Sequence, residues 1–242
     1  RRPPRSTLFP YTTLFRSWFE TGTPAFLLEL IKKHHYFLPE LENLETDERL
    51  VNSFEIENLS LETLMFQTGY LTIKEIRQKR NRIVYHLDFP NLEVKLSFYD
   101  YVLGFFVINA RKNRIADDLY DIFEKAELNK LEAVITQLFA SIAYNNYTRN
   151  DIAHYEGFYA SLLYAYFASL GLEIIAEDVT SQGRMDLTIR LQNKTYIFEF
   201  KVNDEDPLQQ IKKMKYYQKY HGDVYLIGIN FDQKTRNIKQ FK

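Results

Sequence analysis

The sequence predicts an α/β protein. A mixed sheet flanked by helices is expected over residues 151–242, preceded by a mainly helical region, 18–150, with one hairpin in a winged-helix-like order. Three observations lead there. Apolar residues recur at spacings of three and four in Leu128, Leu131, Val134, Ile135, Leu138 and Phe139, the period of a buried helical stripe. From residue 173 onward, apolar runs rich in β-branched and aromatic residues alternate with polar turns, as strands do. The order of segments there is α-β-β-β-α-β, which requires a mixed sheet with helices covering it.

Each element has its own reason. Gly22–Pro24 forms a turn, and Thr23 caps a helix that Pro24 opens and that runs towards Leu38. Glu40–Asn58 is acidic and mixed, and Leu59–Gln67 is a short helix. Tyr70–Ile76 and Ile83–Phe89 are strand-like and flank the polar turn RQKRN. Pro90-Asn91 ends the second strand, and Asn91 caps a helix to about Ala110. Ile115–Tyr144 is helical, and the polar NNYTRND (Asn145–Asp151) is the best domain boundary. A helix from about His154 stops at Gly171. Then follow a strand (Glu173–Glu177), the hairpin GRMDLTIRLQNKTYIFEFKV, a helix over about Leu208–Tyr220 and the strand VYLIGINF.

Composition narrows the function. In 242 residues, 31 Lys and Arg nearly cancel 32 Asp and Glu, for a net charge of −1. A whole-chain basic field is absent, so nucleic acid must be met by a local patch. There is no cysteine, which excludes disulfide scaffolds and thiolate zinc sites and suits a reducing cytoplasm. No apolar run approaches the roughly 20 residues of a membrane helix. Residues 1–17, RRPPRSTLFPYTTLFRS, have four arginines, three prolines, no acid and a near-repeat of Thr-Leu-Phe. They resemble translated sequencing-adapter sequence, so they are set aside from fold reasoning; on that reading the natural protein continued upstream and the chain is a fragment.

One basic cluster stands out. Lys74, Arg77, Lys79, Arg80 and Arg82 share the first hairpin with a single acid, Glu75. Such a wing suits a phosphate backbone; a solvated hairpin tip is the plainer alternative.

The second hairpin poses a chemical question. Its apolar strand holds Glu199 and Lys201, and its first strand opens with Asp186. With Gln192-Asn193 as the loop, Asp186 lies opposite Glu199; with Asn193-Lys194 it lies opposite Lys201; a three-residue loop puts it between. Every register brings the three together, with Glu199 and Lys201 on one face and Phe198, Phe200 and Val202 on the other. Adjacent carboxylates repel unless a cation neutralises them. Oxygen ligands favour magnesium or manganese, and a lysine beside the metal can orient a water, help deprotonate it or stabilise phosphate charge. The plainer alternative is an ion pair on an exposed strand face. Glu156, in the first turn of the preceding helix, is a third acid; alone it suits a helix dipole.

The order Glu156, GRMD with Asp186, EFK with Glu199 and Lys201 resembles the PD-(D/E)XK nuclease superfamily. YEGFYASLLYAYFASLG, EDVTSQGRMDLTIR, YIFEFKV, QQIKKMKYYQKY and YLIGINFD further resemble the C-terminal nuclease domain of a bacterial family that follows an AAA-like ATPase. WFETGTPAFLLELI, FQTGYLTI and FPNLEV resemble the end of that ATPase region and its connector. The resemblance implies a restriction-endonuclease-like fold for 151–242 and a remnant of the ATPase region in 18–150. It implies Mg2+ or Mn2+ on Asp186, Glu199 and the Phe200 carbonyl, with Lys201 assisting the water and Glu156 as auxiliary ligand or water-orienting group. Gln210 falls where related nucleases carry a helix glutamine; the tyrosine spacing after it departs from their pattern. No GxxxxGK[ST] loop is present, so no ATP site is carried over. The expected function is metal-dependent cleavage of DNA by a cytoplasmic protein; the alternative is a non-catalytic nucleic-acid-binding or regulatory module that keeps the fold.

Overall fold

The computed structural model describes residues 27–31, 37–42, 44–47, 60–80, 82–107, 109–142, 156–180, 183–202 and 205–242. The adapter-like segment, the turn and cap at 22–24 and the boundary at 145–151 lie outside them.

Two sheets organise the described residues. The smaller joins β1 (Leu44–Thr46), β2 (Thr72–Lys79) and β3 (Arg82–Asp88) in the antiparallel order β1-β3-β2. The hairpin is longer than expected: Lys79 pairs with Arg82, and Arg80 takes a left-handed φ of 56°. β1 lies in the acidic stretch where the sequence signalled no strand. Before the hairpin, α1 (Leu61–Gln67) is capped by Ser60, whose side chain accepts from the Thr63 N–H. After it, α2 (Leu92–Phe106) is capped as expected by Asn91.

The helices after the hairpin divide differently from the sequence expectation. α2 stops at Phe106 because Val107 is extended and bridges Ile142. α3 runs over Asn109–Lys125 and α4 over Leu131–Ala140, linked by a 3-10 turn at Leu128–Lys130. Ala126, with φ 56°, breaks the single helix expected over 115–144; the Glu127 N–H closes the end of α3 on the Ile122 carbonyl.

The larger sheet is mixed and has the order β4-β5-β6-β7-β8: β4 (Glu173–Thr180), β5 (Gly183–Leu191), β6 (Lys194–Lys201), β7 (Asp223–Asp232) and β8 (Asn237–Phe241). Only β6 and β7 are parallel, joined through α6 (Pro207–Met214). α6 ends six residues earlier than the expected Tyr220. Lys215 there adopts φ 52°, and a 3-10 turn, Tyr216–Lys219, takes over. β8 is an addition: its Ile238 and Phe241, three residues apart across a register shift, pack on the core although NIKQF is largely polar.

Between the larger sheet and α2 lies α5 (Glu156–Ser169), ended at Gly171 with φ 74°. Every residue from Phe158 to Ala168 is buried, so this helix is apolar all round, as a central helix must be. Tyr159 stacks on Phe231 of β7 at 4.2 Å, and Phe167 packs on Phe123 of α3 and Phe198 of β6. On its other side Tyr164 meets Tyr99 of α2. One continuous core therefore runs from Leu27 to Phe231. Among the described residues no helix is long and apolar enough to cross a membrane.

Candidate functional site

The β5–β6 hairpin closes through the two-residue loop Gln192-Asn193: Leu191 pairs with Lys194, and Gln192 takes φ 56°. Of the expected registers this is the one that aims Asp186 at Glu199, since the ladder runs through Leu187 and Phe198 just before them. Tyr196, Phe198 and Phe200 point into the main core. Ile197 points to the other side, under α6, with Met185, Ile211 and Tyr216; alternation sends Glu199 and Lys201 to that side as well.

Asp186, Glu199, Lys201 and Glu156 form one electrostatic group. Asp186 Oδ2 accepts a hydrogen bond of 2.7 Å from the Phe200 N–H, the amide directly after Glu199. Lys201 Nζ donates to Glu199 Oε1 at 3.1 Å and lies 3.8 Å from Glu156 Oε1. Glu199 is 1% exposed and Lys201 8%. The plainer alternative of an exposed ion pair does not hold: the pair is buried, and its desolvation needs strong compensation.

That compensation is incomplete. Glu199 Oε2 is buried without a hydrogen-bond partner, a costly position for a carboxylate oxygen. Burial first, then the charge of Asp186, push the Glu199 carboxyl up to about 7, against the pull of Lys201. Glu156 is also raised, by burial and by Asp186, with Lys201 opposing. Burial works to lower Lys201, but Glu199, Glu156 and Asp186 together overcome it and raise the ammonium.

An unsatisfied buried carboxylate oxygen beside a second carboxylate is a donor set that suits a hard divalent cation. Among the described residues no cluster of three or more His, Asp or Glu is placed to hold a metal, so two carboxylates would have to be completed by main-chain oxygen, with the Phe200 carbonyl adjacent, and by water.

α6 closes the site from above. Gln210 Nε2 donates to Glu199 Oε1, so the glutamine singled out in sequence does reach the acid. Its approach depends on Gly228 of β7, paired with Glu199 across the parallel ladder. A Cβ at Gly228 would stand 2.7 Å from the Leu208 amide nitrogen and 3.0 Å from Pro207 Cγ. The sequence reading passed over this residue, although an isolated glycine in an apolar strand signals close backbone approach. It also passed over Tyr216: the ring is buried under α6, and burial followed by the Glu199 charge raise its hydroxyl while Gln210 hydrogen-bonds to it.

Among the described residues no contact brings the basic hairpin to this site, and much of its charge is already paired. Lys74 donates to the Pro90 carbonyl at 3.0 Å, Arg77 makes two 2.7 Å bonds to Glu75, and Lys79 reaches Glu45 of β1 at 3.1 Å. The strand added at β1 supplies the second acid. Among the described residues no acid pairs with Arg80 or Arg82. A separate groove of about 650 Å³, lined by Phe37, Leu44, Tyr164 and Ile174 among others, contains none of the four site residues.

Residues 154–241 match the model of the PD-(D/E)XK nuclease superfamily. A protein of Azotobacter chroococcum mcd 1, described as "Uncharacterized protein in vnfD 5'region", is 40% identical over 232 residues, 93% of this chain. The chain spans 45% of that relative's length. No solved structure matches.

Proposed function

We propose that the PD-(D/E)XK nuclease superfamily domain of residues 154–241 hydrolyses phosphodiester bonds in DNA at the Asp186–Glu199–Lys201 cluster. The observation that carries this reading is Glu199: a buried carboxylate with one oxygen unpartnered, beside Asp186 and an ammonium. A structural ion pair gains nothing from such an oxygen, whereas a ligand set requires it.

A magnesium or manganese ion held by Asp186, Glu199 and the Phe200 carbonyl would acidify a bound water and offset phosphate charge. Asp186 is steadied for that task by the Phe200 N–H. Gln210 and Lys201 both donate to Glu199 Oε1, leaving Oε2 for the ligand. Lys201, held as an ammonium by three acids, serves as a donor to the phosphate oxygens and to the attacking water rather than as a base. Glu156, raised by burial and 3.8 Å from Lys201, orients that water and takes its proton. The water oxygen bonds to phosphorus as the bond from phosphorus to the sugar oxygen breaks, and the departing sugar oxygen takes up a proton from solvent water.

We further propose that residues 18–150 derive from the end of an AAA-like ATPase region, on the resemblance of WFETGTPAFLLELI, FQTGYLTI and FPNLEV to it. A second reading, a non-catalytic module, draws on the direct Lys201–Glu199 pair, which partly neutralises the site without metal. One experiment separates them: incubation of the purified chain with plasmid and single-stranded DNA in EDTA, Mg2+ or Mn2+. Cleavage confined to the metal-containing reactions is expected; calorimetric silence with both metals and intact DNA would favour the binding module.

A further inference from the structure

The chain as a whole offers DNA no basic field, yet one surface beside the acids does. Residues 207–222, PLQQIKKMKYYQKYHG, contain four lysines and no acid. α6 packs on β6 and β7, and its Gln210 touches Glu199. Lys213 lies three residues beyond Gln210, on the adjoining helical face and about 4.5 Å along the axis. Lys212, Lys213 and Lys215 are exposed, and no acid pairs with any of them among the described residues. This contrasts with Lys112, Lys125 and Lys130 on α3 and the following turn, which are tied to Asp100, Asp121 and Glu127 at 2.6, 2.6 and 2.5 Å.

The break at Lys215 adds a second ingredient. Its left-handed backbone ends α6 and turns Tyr216 inwards, and the next ring, Tyr217, is 37% exposed. Unpaired lysines followed by an exposed aromatic ring combine phosphate attraction with a stacking face, the pairing that single strands use and duplexes, with their bases already stacked, do not.

We propose that Lys212, Lys213, Lys215 and Tyr217 form a track that binds a single DNA strand and leads it to Asp186 and Glu199. The track's direction rests on the nuclease reading; its existence does not, because binding can be measured without metal. Charge complementarity selects a polyanion, and the ring selects an unpaired base.

The test is fluorescence anisotropy with the full chain in EDTA, using a labelled 20-nucleotide oligothymidylate and a hairpin duplex of equal charge over a range of salt. The unmutated chain should bind the single strand more tightly. The triple variant Lys212→Ala/Lys213→Ala/Lys215→Ala should lose affinity at least tenfold and flatten the slope of log affinity against log salt by about 2, close to 0.7 for each of three phosphates released. Tyr217→Ala should weaken binding without changing that slope. The triple variant Lys112→Ala/Lys125→Ala/Lys130→Ala alters net charge equally and is the control. An unchanged slope in the track variant, an equal loss in the control, or preference for the duplex would overturn the track. Metal-dependent cleavage by the unmutated chain, assayed alongside, reports on the nuclease reading separately.

Discussion

Lys201 and Asp186 are both charged and both beside Glu199, but they are expected to fail in different ways. Asp186→Ala removes one of the proposed ligands, the carboxylate that the Phe200 N–H holds in place. On the proposed mechanism it should abolish calorimetric binding of Mn2+ and cleavage together. Lys201→Ala removes a positive charge from beside the proposed metal position, so metal binding should be kept or tightened. Cleavage should nevertheless fall about a hundredfold or more, the usual cost of losing a donor aimed at developing charge. Equal cleavage by Lys201→Ala would remove that role. The raised carboxyl of Glu199 gives a pH signature of its own. Its folded value, about 7, exceeds its ordinary 4.5, so between those values the unfolded chain ionises first. Stability without metal should therefore decline as pH rises through that window, and Glu156, raised likewise, adds in the same direction. Thermal unfolding from pH 5 to 8 should show the decline, and Glu199→Gln should flatten most of it.

At the scale of elements, the hairpin was the most legible part. Its apolar alternation and the polar Gln192-Asn193 pair allow few registers, and each brings Asp186 near Glu199 whichever is adopted. The path of α6 was not legible beyond its first turns. KKMKYYQKY has helical composition to Tyr220, and only the tertiary demand to bury Tyr216 turns the backbone left-handed at Lys215. β1 and β8 escaped for a related reason: short, polar edge strands carry little pattern and exist because a neighbouring strand offers hydrogen bonds. Charge pairing across the strands of one sheet was equally hidden, and Glu45 of β1 neutralises Lys79 of β2. Gly228 permits a direct experiment at this scale. Gly228→Ala places a methyl group against the α6 backbone, which should cost about 1–3 kcal/mol as an overpacked contact. Lifting α6 also draws Gln210 from Glu199, so metal affinity should fall as well. Chemical denaturation and metal titration would show both; a loss of stability with metal affinity intact would mean that Gln210 does not help to hold Glu199 in its ligating position.

For the whole molecule, the decisive element is α5. Its buried flank joins the larger sheet through Tyr159 and Phe167, and the opposite flank joins α2 through Phe158 with Phe106 and Tyr164 with Tyr99. The hydroxyls of Tyr99 and Tyr164 both donate to Glu42 Oε1, at 2.9 and 2.5 Å, and Lys95 donates to Glu42 Oε2 at 2.6 Å. Ser161 of the same helix accepts from the Leu38 N–H at 3.1 Å. Residues 154–241 match a nuclease-superfamily model by themselves, yet in this chain they share their core with what precedes them. An excised 151–242 fragment should expose the α2-facing flank of α5, bind a hydrophobic dye and unfold without a sharp transition, in contrast to the full chain. A cooperative, dye-silent fragment would show that the shared core is not required.

The aromatic seam along α5 also has an optical meaning. Phe106, Phe158, Tyr159, Phe231 and Phe139 adjoin one another in unbroken succession, with ring centres 4.2 to 6.0 Å apart. Rings fixed in a chiral, rigid array give strong near-ultraviolet circular dichroism, and they lose it when they rotate freely. Because the seam crosses from α2 through α5 to β7, that signal reports the docking of the helical region on the larger sheet. Followed by circular dichroism across the near-ultraviolet phenylalanine and tyrosine bands, the protein's own rings would register any separation of the two, with no label attached.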